Sequence, residues 1–189
     1  MREKIYIGVD PSFTNTGIVV LERGKFYTHG IKIPVIEDDT TGQTSRILKG
    51  YPELTDALEF TAIMTRDSDA ICGIEIPMGN HFGNGAIIER AYTMCIFAVD
   101  EVARQYWNSL EFITYYPSQL KKFIGKGLLA EAKDALFPDK AKLSQAQKKK
   151  LAPWAVNKRF NFETKSHDIA EAYFGAMMVK LIDEGKYEL

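Results

Sequence analysis

Apolar residues in the first part of the chain form short continuous blocks that end abruptly at polar residues. The first block, Ile5 to Val9, ends at Asp10, and a second begins directly after Gly17 as Ile18 to Leu21. The segment from Pro11 to Gly17 is too short for a crossover helix, so the pattern predicts an antiparallel hairpin. Asp10 is then expected at the end of a buried strand, at the rim of a sheet.

The same reading extends along the chain and predicts a mixed-sheet α/β fold. Three strands in succession indicate an antiparallel meander, and the later strands alternate with segments of helical spacing. The predicted strands are Lys4–Asp10, Gly17–Leu21, Phe26–Ile33, Asp69–Glu75 and Leu110–Tyr116, and the predicted helices are Ser45–Met64, Ala86–Gln105 and His167–Glu184.

Proline and glycine punctuate the segments between these elements. Pro52 either kinks the first helix or marks its true start, and Ser166 is the expected N-cap of the last one. From Pro117 the pattern predicts short helical segments. One of them begins at Ser144 and is expected to end at Pro153.

Four carboxylates stand at ends of these predicted elements. Asp10 and Glu75 each end a buried strand, whereas Asp168 and Glu171 are three residues apart on one face at the start of the last helix. Each has an ordinary explanation as well: Asp10 could cap a turn, and Asp168 could cap its helix. The turn after Asp10 also has the residue types of a phosphate-binding loop.

Composition is that of an ordinary soluble domain. The 189 residues are 46% hydrophobic and 26% charged, which favours a single domain spanning 1–189. Cys72 and Cys95 lie in apolar runs and are interpreted as buried free thiols, which suits a reducing cytosol. The expected location is the cytoplasm, or the host-cell cytoplasm if the protein is viral. No apolar run reaches the roughly 20 residues that a membrane span requires, so no membrane partner is expected.

Charge is distributed unevenly although the net charge is only -1. The segment Lys121 to Lys165 holds twelve Lys/Arg and four Asp/Glu, whereas the rest of the chain holds twelve basic and twenty-one acidic residues. Trp154 and Phe160 are interleaved with Lys158 and Arg159 within it. This favours contact with a polyanion, although a solvated face whose aromatic residues point into the core remains an alternative.

Four converging carboxylates would repel each other strongly without a counterion. Oxygen ligands without cysteine favour Mg²⁺ or Mn²⁺ over zinc. Two such ions about 4 Å apart can activate a water and neutralise a leaving oxygen, which is the chemistry of phosphodiester hydrolysis.

Four sequence motifs in this order resemble the RuvC-type Holliday junction resolvases of the ribonuclease H-like superfamily. They are a strand ending in D-P-S-x-x-x-T-G, a strand ending in I-E, P-S-Q-L-K-K followed by G-K-G, and a final D-x-x-E-A helix. The resemblance covers roughly Ile5 to Met178. It implies a ribonuclease H-like fold and a homodimeric endonuclease that cuts four-way or other branched DNA junctions.

Carried over residue by residue, the resemblance makes Asp10, Glu75, Asp168 and Glu171 the catalytic, metal-binding acids. They would hold Mg²⁺, or Mn²⁺, as two ions in each active site. His167 is an alternative ligand or proton carrier, with a helix-capping role as the other interpretation.

The resemblance also implies how DNA is contacted. Lys121 matches a family lysine near the scissile phosphate and Lys133 a second one, while Met78 or Phe82 would be a wedge at the junction centre. The remaining expected DNA contacts are Ser12, Lys122, Lys126, Lys158 and Arg159. The segment from Phe137 to Lys165 is longer and more basic than the bacterial pattern, which favours a divergent, phage-type member with a basic insertion-like segment at about 137–165.

Two other function classes are compatible with these residues. One is an actin-like ATPase module that binds phosphate at the first hairpin, and the other is a relative that binds branched DNA without cutting it. The helix at Ala86–Gln105 is the expected dimer interface, although its apolar face could equally be buried within one subunit.

Overall fold

A five-stranded mixed sheet with helices on both faces forms the described part of the chain. The computed structural model describes residues 3–12, 15–31, 43–76 and 85–189, and for 43–49 and 85–88 it describes the backbone only. The elements are β1 (Lys4–Asp10), β2 (Thr16–Glu22), β3 (Lys25–Ile31), α1 (Gln43–Met64), β4 (Asp69–Glu75), α2 (Gly85–Tyr106), β5 (Ser109–Tyr115), α3 (Pro117–Ile124), α4 (Lys126–Leu136), α5 (Gln145–Lys148), α6 (Leu151–Phe160) and α7 (His167–Asp183).

The strand order in the sheet is β3-β2-β1-β4-β5. β1 pairs antiparallel with β2, and β2 pairs antiparallel with β3. β4 lies on the other side of β1 and is parallel to it, and β5 is parallel to β4. The predicted meander followed by parallel strands is therefore confirmed, and so is the mixed α/β class.

The alternation of side chains along β1 divides the molecule into two cores. Ile5, Ile7 and Val9 are fully buried on the face covered by α1 and α2. On the opposite face, α7 packs across the sheet together with α3 and α6. This is the period-two pattern of a strand that is buried on both sides.

Helix α7 approaches β1 and β2 unusually closely because glycines face it. A Cβ atom added to Gly8 would lie 1.8 Å from the carbonyl oxygen of Ala172, and one added to Gly17 would lie 2.3 Å from the carbonyl oxygen of Asp168. These neighbours are backbone atoms, which cannot rotate away. The first turn of α7 is therefore held against the ends of β1 and β2.

The basic segment folds differently from the sequence prediction at one point. The helix expected to begin at Ser144 begins one residue later, as α5, with Ser144 as its cap: the Ser144 hydroxyl accepts from the amide of Gln147. This helix ends already at Lys148. A new helix, α6, begins at Leu151 and runs through Pro153, where the prediction ended a helix. Pro153 lies in the first turn, where its missing N–H leaves no intrahelical hydrogen bond unmade.

Three smaller expectations can also be compared with the structure. Cys72 and Cys95 are both buried and unbridged, which confirms the interpretation as free thiols. Across the described ranges, no helix combines the length and the apolar character that crossing a membrane requires. Pro52 lies inside α1, whose start at Gln43 precedes it.

The close approach of α7 leads to a stability prediction. Gly8→Ala should lower the free energy of unfolding by about 1–3 kcal/mol or more, because the added methyl group overlaps the backbone of Ala172. The measurement is urea unfolding followed by circular dichroism. A matched control is Gly127→Ala in α4, where nothing lies within 4 Å of the added carbon and the change should be neutral or slightly stabilising. Equal destabilisation of both variants would contradict this packing.

Candidate active site

Asp10 and Glu75 lie side by side at the carboxyl edge of the sheet. They are the last residues of two adjacent parallel strands, and the residues before them, Val9 and Ile74, are register partners. Because side chains alternate along a strand, Asp10 shares a face with Gly8, and Glu75 shares a face with Gly73. Both glycines face α7, so both acids lie on the α7 side of the sheet.

The start of α7 brings the other two acids to the same edge. Ser166 caps the helix, with its hydroxyl accepting from the amide of Ile169 at 3.3 Å. Asp168 lies in the first turn, and the side-chain amide of Asn15 donates a hydrogen bond to its carboxylate. Asn15 therefore ties the turn of the first hairpin to the helix.

The hairpin turn is held by its own polar residues. The buried hydroxyl of Thr16 donates to the carbonyl oxygen of Ser12 at 2.6 Å and accepts from the Ser12 amide at 3.2 Å. The turn that follows Asp10 is thus fixed from within and anchored to α7 through Asn15. Both features restrict where the Asp10 carboxylate can lie.

Asp10 is at the centre of the electrostatics of this edge. Burial raises its pKa well above the usual range, and the nearby carboxylates of Glu171, Glu75 and Asp168 raise it further. The positive charge of Lys149 lowers the pKa of Asp10. Asp10 is thus the residue on which the influence of the three other acids converges.

Glu75 and Glu171 are perturbed in the same direction. Burial, followed by the charge of Glu171, raises the pKa of Glu75 to about 7, against the lowering effect of Lys121. Burial also raises the pKa of Glu171, while His167, Lys121 and Lys149 lower it. Without a bound cation, these carboxyl groups resist being charged together.

A cleft of about 390 Å³ opens next to the acids and carries positive charge. Glu75 and Glu171 line it together with Lys121 of α3, Lys148 and Lys149 at the end of α5, and His167. Nε2 of His167 lies 3.3 Å from Oε2 of Glu171. The cleft therefore combines a carboxylate edge with lysines that can face phosphate groups.

The four carboxylates are the type of ligand that hard divalent cations prefer, although their side chains do not converge on one point as they stand. Clustered carboxylates with raised pKa values are relieved when a cation binds, and oxygen ligands are those that Mg²⁺ and Mn²⁺ prefer. Nδ1 of His167 is a buried nitrogen for which no hydrogen-bond partner is found in the described part of the chain. Within the same residues, no group of three or more His, Cys, Asp or Glu could hold an ion as the side chains stand.

The expected DNA-contacting residues fall into three groups. Lys121 lines the cleft, whereas Lys122 and Lys126 are exposed nearby and Lys133 is half-buried on α4. Lys158 and Arg159 have partners within the protein. Met78 and Phe82, the predicted wedge residues, lie outside the described residues.

Arg159 has a clear structural role. One guanidinium nitrogen, Nη1, donates to the carbonyl oxygen of Phe123 at 2.6 Å, and the guanidinium stacks on the rings of Phe123 and Phe160 at 4.7 and 5.1 Å. It thereby holds α6 against the end of α3. Lys158 lies 3.8 Å from Glu131 and 5.4 Å above the ring of Trp154.

Two solved structures of RuvC are similar to the chain over nearly its full length. The Thermus thermophilus RuvC in complex with a Holliday junction substrate matches with a TM-score of 0.62 and 13% identity, covering 97% of each chain. A second Thermus thermophilus RuvC structure matches with a TM-score of 0.53 and 14% identity, covering 96% of this chain and 97% of that one. RuvC has a ribonuclease H-like fold.

The chain has the ribonuclease H-like fold. No protein-family model matches it, and no curated protein matches its sequence. In this ribonuclease H-like fold, the four acids lie at the carboxyl edge of β1 and β4 and at the start of α7.

Sequence reasoning missed three features of the site. Lys148 and Lys149 line the cleft, but in the sequence they belong to a run that is typical of a solvated helix. Tyr115, the register partner of Glu75, is buried beneath the acids, and its hydroxyl occupies the space that a side chain at Gly175 would need. The one available signal for Tyr115 was its position at the end of β5.

The raised pKa values lead to a prediction about metal-free protein. The pKa of Glu75 is about 7 in the folded chain and close to the ordinary glutamate value of 4.5 in the unfolded chain, so between these values the folded state retains a proton that the unfolded state has lost. Stability should therefore fall as the pH rises from about 5 to 8. Glu75→Gln should remove part of this decline and be more stable than the unmodified chain at pH 8 in EDTA.

Urea unfolding at pH 5 and pH 8 provides the measurement. Glu111→Gln, an exposed position on the neighbouring strand β5, is the matched control and should keep the pH profile of the unmodified chain. If the free energy of unfolding changed with pH in the same way for the unmodified chain and for Glu75→Gln, burial and neighbouring charges would not be raising the pKa of Glu75.

Proposed function

We propose that the chain is a metal-dependent endonuclease that hydrolyses phosphodiesters in four-way and other branched DNA junctions. The observation that carries the proposal is the electrostatic cluster of Asp10, Glu75, Asp168 and Glu171 at one edge of a ribonuclease H-like sheet. Such a cluster lowers the stability of the folded chain. Carboxylates with perturbed pKa values in a cleft are typical of functional sites.

Each side chain of the cluster has a proposed role. The four acids bind and orient divalent cations, Mg²⁺ or Mn²⁺, proposed as two per site. The chemistry that such cations supply when bound is activation of a water and neutralisation of the leaving oxygen. Tyr115 and Asn15 hold the acids in position from below and from the hairpin turn, and His167 is a further ligand or proton carrier beside Glu171.

Lysines on two sides of the cleft are the proposed phosphate contacts. Lys121 and Lys149 both lower carboxyl pKa values in the cluster, so their charges lie where a scissile phosphate would be attracted. Ser12, Lys122, Lys126, Lys133, Lys158 and Arg159 complete the proposed DNA-binding set, with Met78 or Phe82 as the wedge. Because of the basic segment 137–165, the chain is proposed to be a divergent, phage-type member of the resolvases.

Branched DNA is proposed as the substrate on two grounds. One of the similar structures is a RuvC bound to a Holliday junction substrate. The second ground is the charge of the segment from Lys121 to Lys165, which contributes α3, α5 and the cleft lysines on the same side as the acids. A strongly basic surface next to a carboxylate site fits a polyanionic substrate that is cut at that site.

A homodimer is proposed because a four-way junction has two-fold symmetry. The apolar face of α2 is buried against the sheet through Met94, Cys95 and Ala98, so it does not itself form the interface. The outer surface of α1 and α2 instead exposes large apolar side chains. These are Phe60, Ile63 and Met64 of α1 and Phe97 of α2, each more than half exposed. We propose this outer surface as the contact between two copies.

Removing single acids tests the cleavage mechanism. Asp10→Asn and Glu75→Gln should each reduce cleavage of a four-way junction by more than about 100-fold, since even outer partners of metal ligands are typically worth 10–100-fold. Junction binding measured in Ca²⁺ should be retained. The matched control is Glu53→Gln, an exposed acid on α1, which should cut normally.

The same assay should include duplex, flap and three-way substrates with Mg²⁺ and with Mn²⁺. Paired, symmetric nicks on the four-way substrate are the expected product. Normal cutting by Asp10→Asn or Glu75→Gln would overturn the site assignment, equal cutting of plain duplex would indicate a general nuclease, and no cutting of any substrate would indicate a DNA-binding protein.

Charge substitution at the outer surface of α1 and α2 tests the dimer. Phe60→Asp combined with Phe97→Asp should give a monomer by light scattering, because two aromatic contacts across the proposed interface are replaced by like charges. The variant should nick junctions singly rather than in pairs. Leu189→Asp, an exposed apolar position elsewhere, is the control. A variant that still elutes as a dimer would place the interface elsewhere.

A further inference from the structure

A second depression, the α4–α6 groove, lies beside the active-site cleft. It has a volume of about 720 Å³ and is bordered by Leu136 at the end of α4, by Trp154 and Asn157 of α6, and by Lys150, Glu163 and Lys165. Ligand sites in proteins are typically about 300–1,000 Å³, so the groove is large enough for a nucleotide.

The groove and the cleft share one wall. Around the start of α6, Lys149 and Ala152 line the cleft while Lys150 and Trp154 line the groove. Before α7, Lys165 lines the groove and His167 lines the cleft. A DNA strand that passes over this wall from the acids would reach the groove.

Trp154 gives the groove a flat aromatic surface among positive charges. The indole is only partly buried, and Nζ of Lys158 lies 5.4 Å from its ring centroid. Lys150 and Lys165 are exposed at the border, facing one acidic residue, Glu163, within the described lining. An aromatic platform flanked by lysines is the arrangement that binds successive nucleotides through base stacking and phosphate contacts.

We infer that the α4–α6 groove binds an unpaired DNA strand, with one base stacked on Trp154 and adjacent phosphates near Lys150 and Lys165. The inference rests on the proposed function, because the strand is the one that enters from the active-site cleft. An intact duplex cannot use the platform, since its bases are stacked on each other and paired. The site would thus favour substrates whose strands are opened near the branch point.

Binding of a fluorescently labelled oligothymidine strand and of a matched duplex, both measured by anisotropy in Ca²⁺, tests the inference. Trp154→Ala should weaken binding of the single strand by about tenfold or more, which is typical of losing one stacked base, and should change duplex binding less. Trp154→Phe keeps an aromatic ring at the position and should bind the strand nearly as well as the unmodified protein.

Two further variants guard against a general folding or charge effect. Lys150→Glu combined with Lys165→Glu should weaken single-strand binding more than duplex binding while leaving Trp154 in place. Lys142→Ala, an exposed lysine of the same basic segment outside both depressions, should have little effect. The oligothymidine strand should also quench the fluorescence of the unmodified protein but not that of Trp154→Phe, because Trp107 is buried in the core.

The results separate this inference from the proposed function. Unchanged single-strand affinity in both Trp154→Ala and the double lysine variant, or equal losses for strand and duplex, would overturn the groove as a strand site. Protein that binds the strand through Trp154 but cuts no branched substrate would support the groove and overturn the endonuclease. Junction cleavage without Trp154-dependent binding of the strand would support the endonuclease and overturn the groove as a strand site.

Discussion

The contact between α7 and the backbone of β1 and β2 is the constraint on which the candidate site depends. Gly8 and Gly17 remove the side chains that would otherwise separate helix and sheet, and the backbone of Ala172 and Asp168 fills that space. The first turn of α7 is thereby placed at the ends of the strands. With a larger residue at either glycine, Asp168 and Glu171 would move away from Asp10, and the electrostatic cluster would be lost.

That cluster opposes folding of the metal-free chain. Burial and mutual repulsion raise the pKa values of Asp10, Glu75 and Glu171, so the charged form of each is disfavoured in the folded chain. Lys121 and Lys149 offset part of this repulsion from the other side of the cleft. A chain under no functional constraint could remove the conflict with neutral side chains, which is why the arrangement points to chemistry rather than to stability.

The basic segment is folded into helices that line two depressions, rather than forming only a solvated face. The break between α5 and α6 turns the lysine run so that Lys149 faces the acids and Lys150 borders the α4–α6 groove. One guanidinium nitrogen of Arg159 donates to α3 and holds α6 against it. Positive charge in one stretch of sequence is thus divided between a structural contact, the cleft beside the four acids and a second depression.

The sequence by itself determined the strands that carry Asp10 and Glu75, their bounds, and the capped start of α7, because alternation, strand ends and capping are local properties of the chain. Only the tertiary structure decided that Lys149 lies near these acids, that Asn15 donates a hydrogen bond to Asp168, and that Arg159 donates one to α3. Those contacts join residues far apart in sequence. Charge and residue type indicate what a side chain can bind, but the packing of distant elements decides which partner it meets.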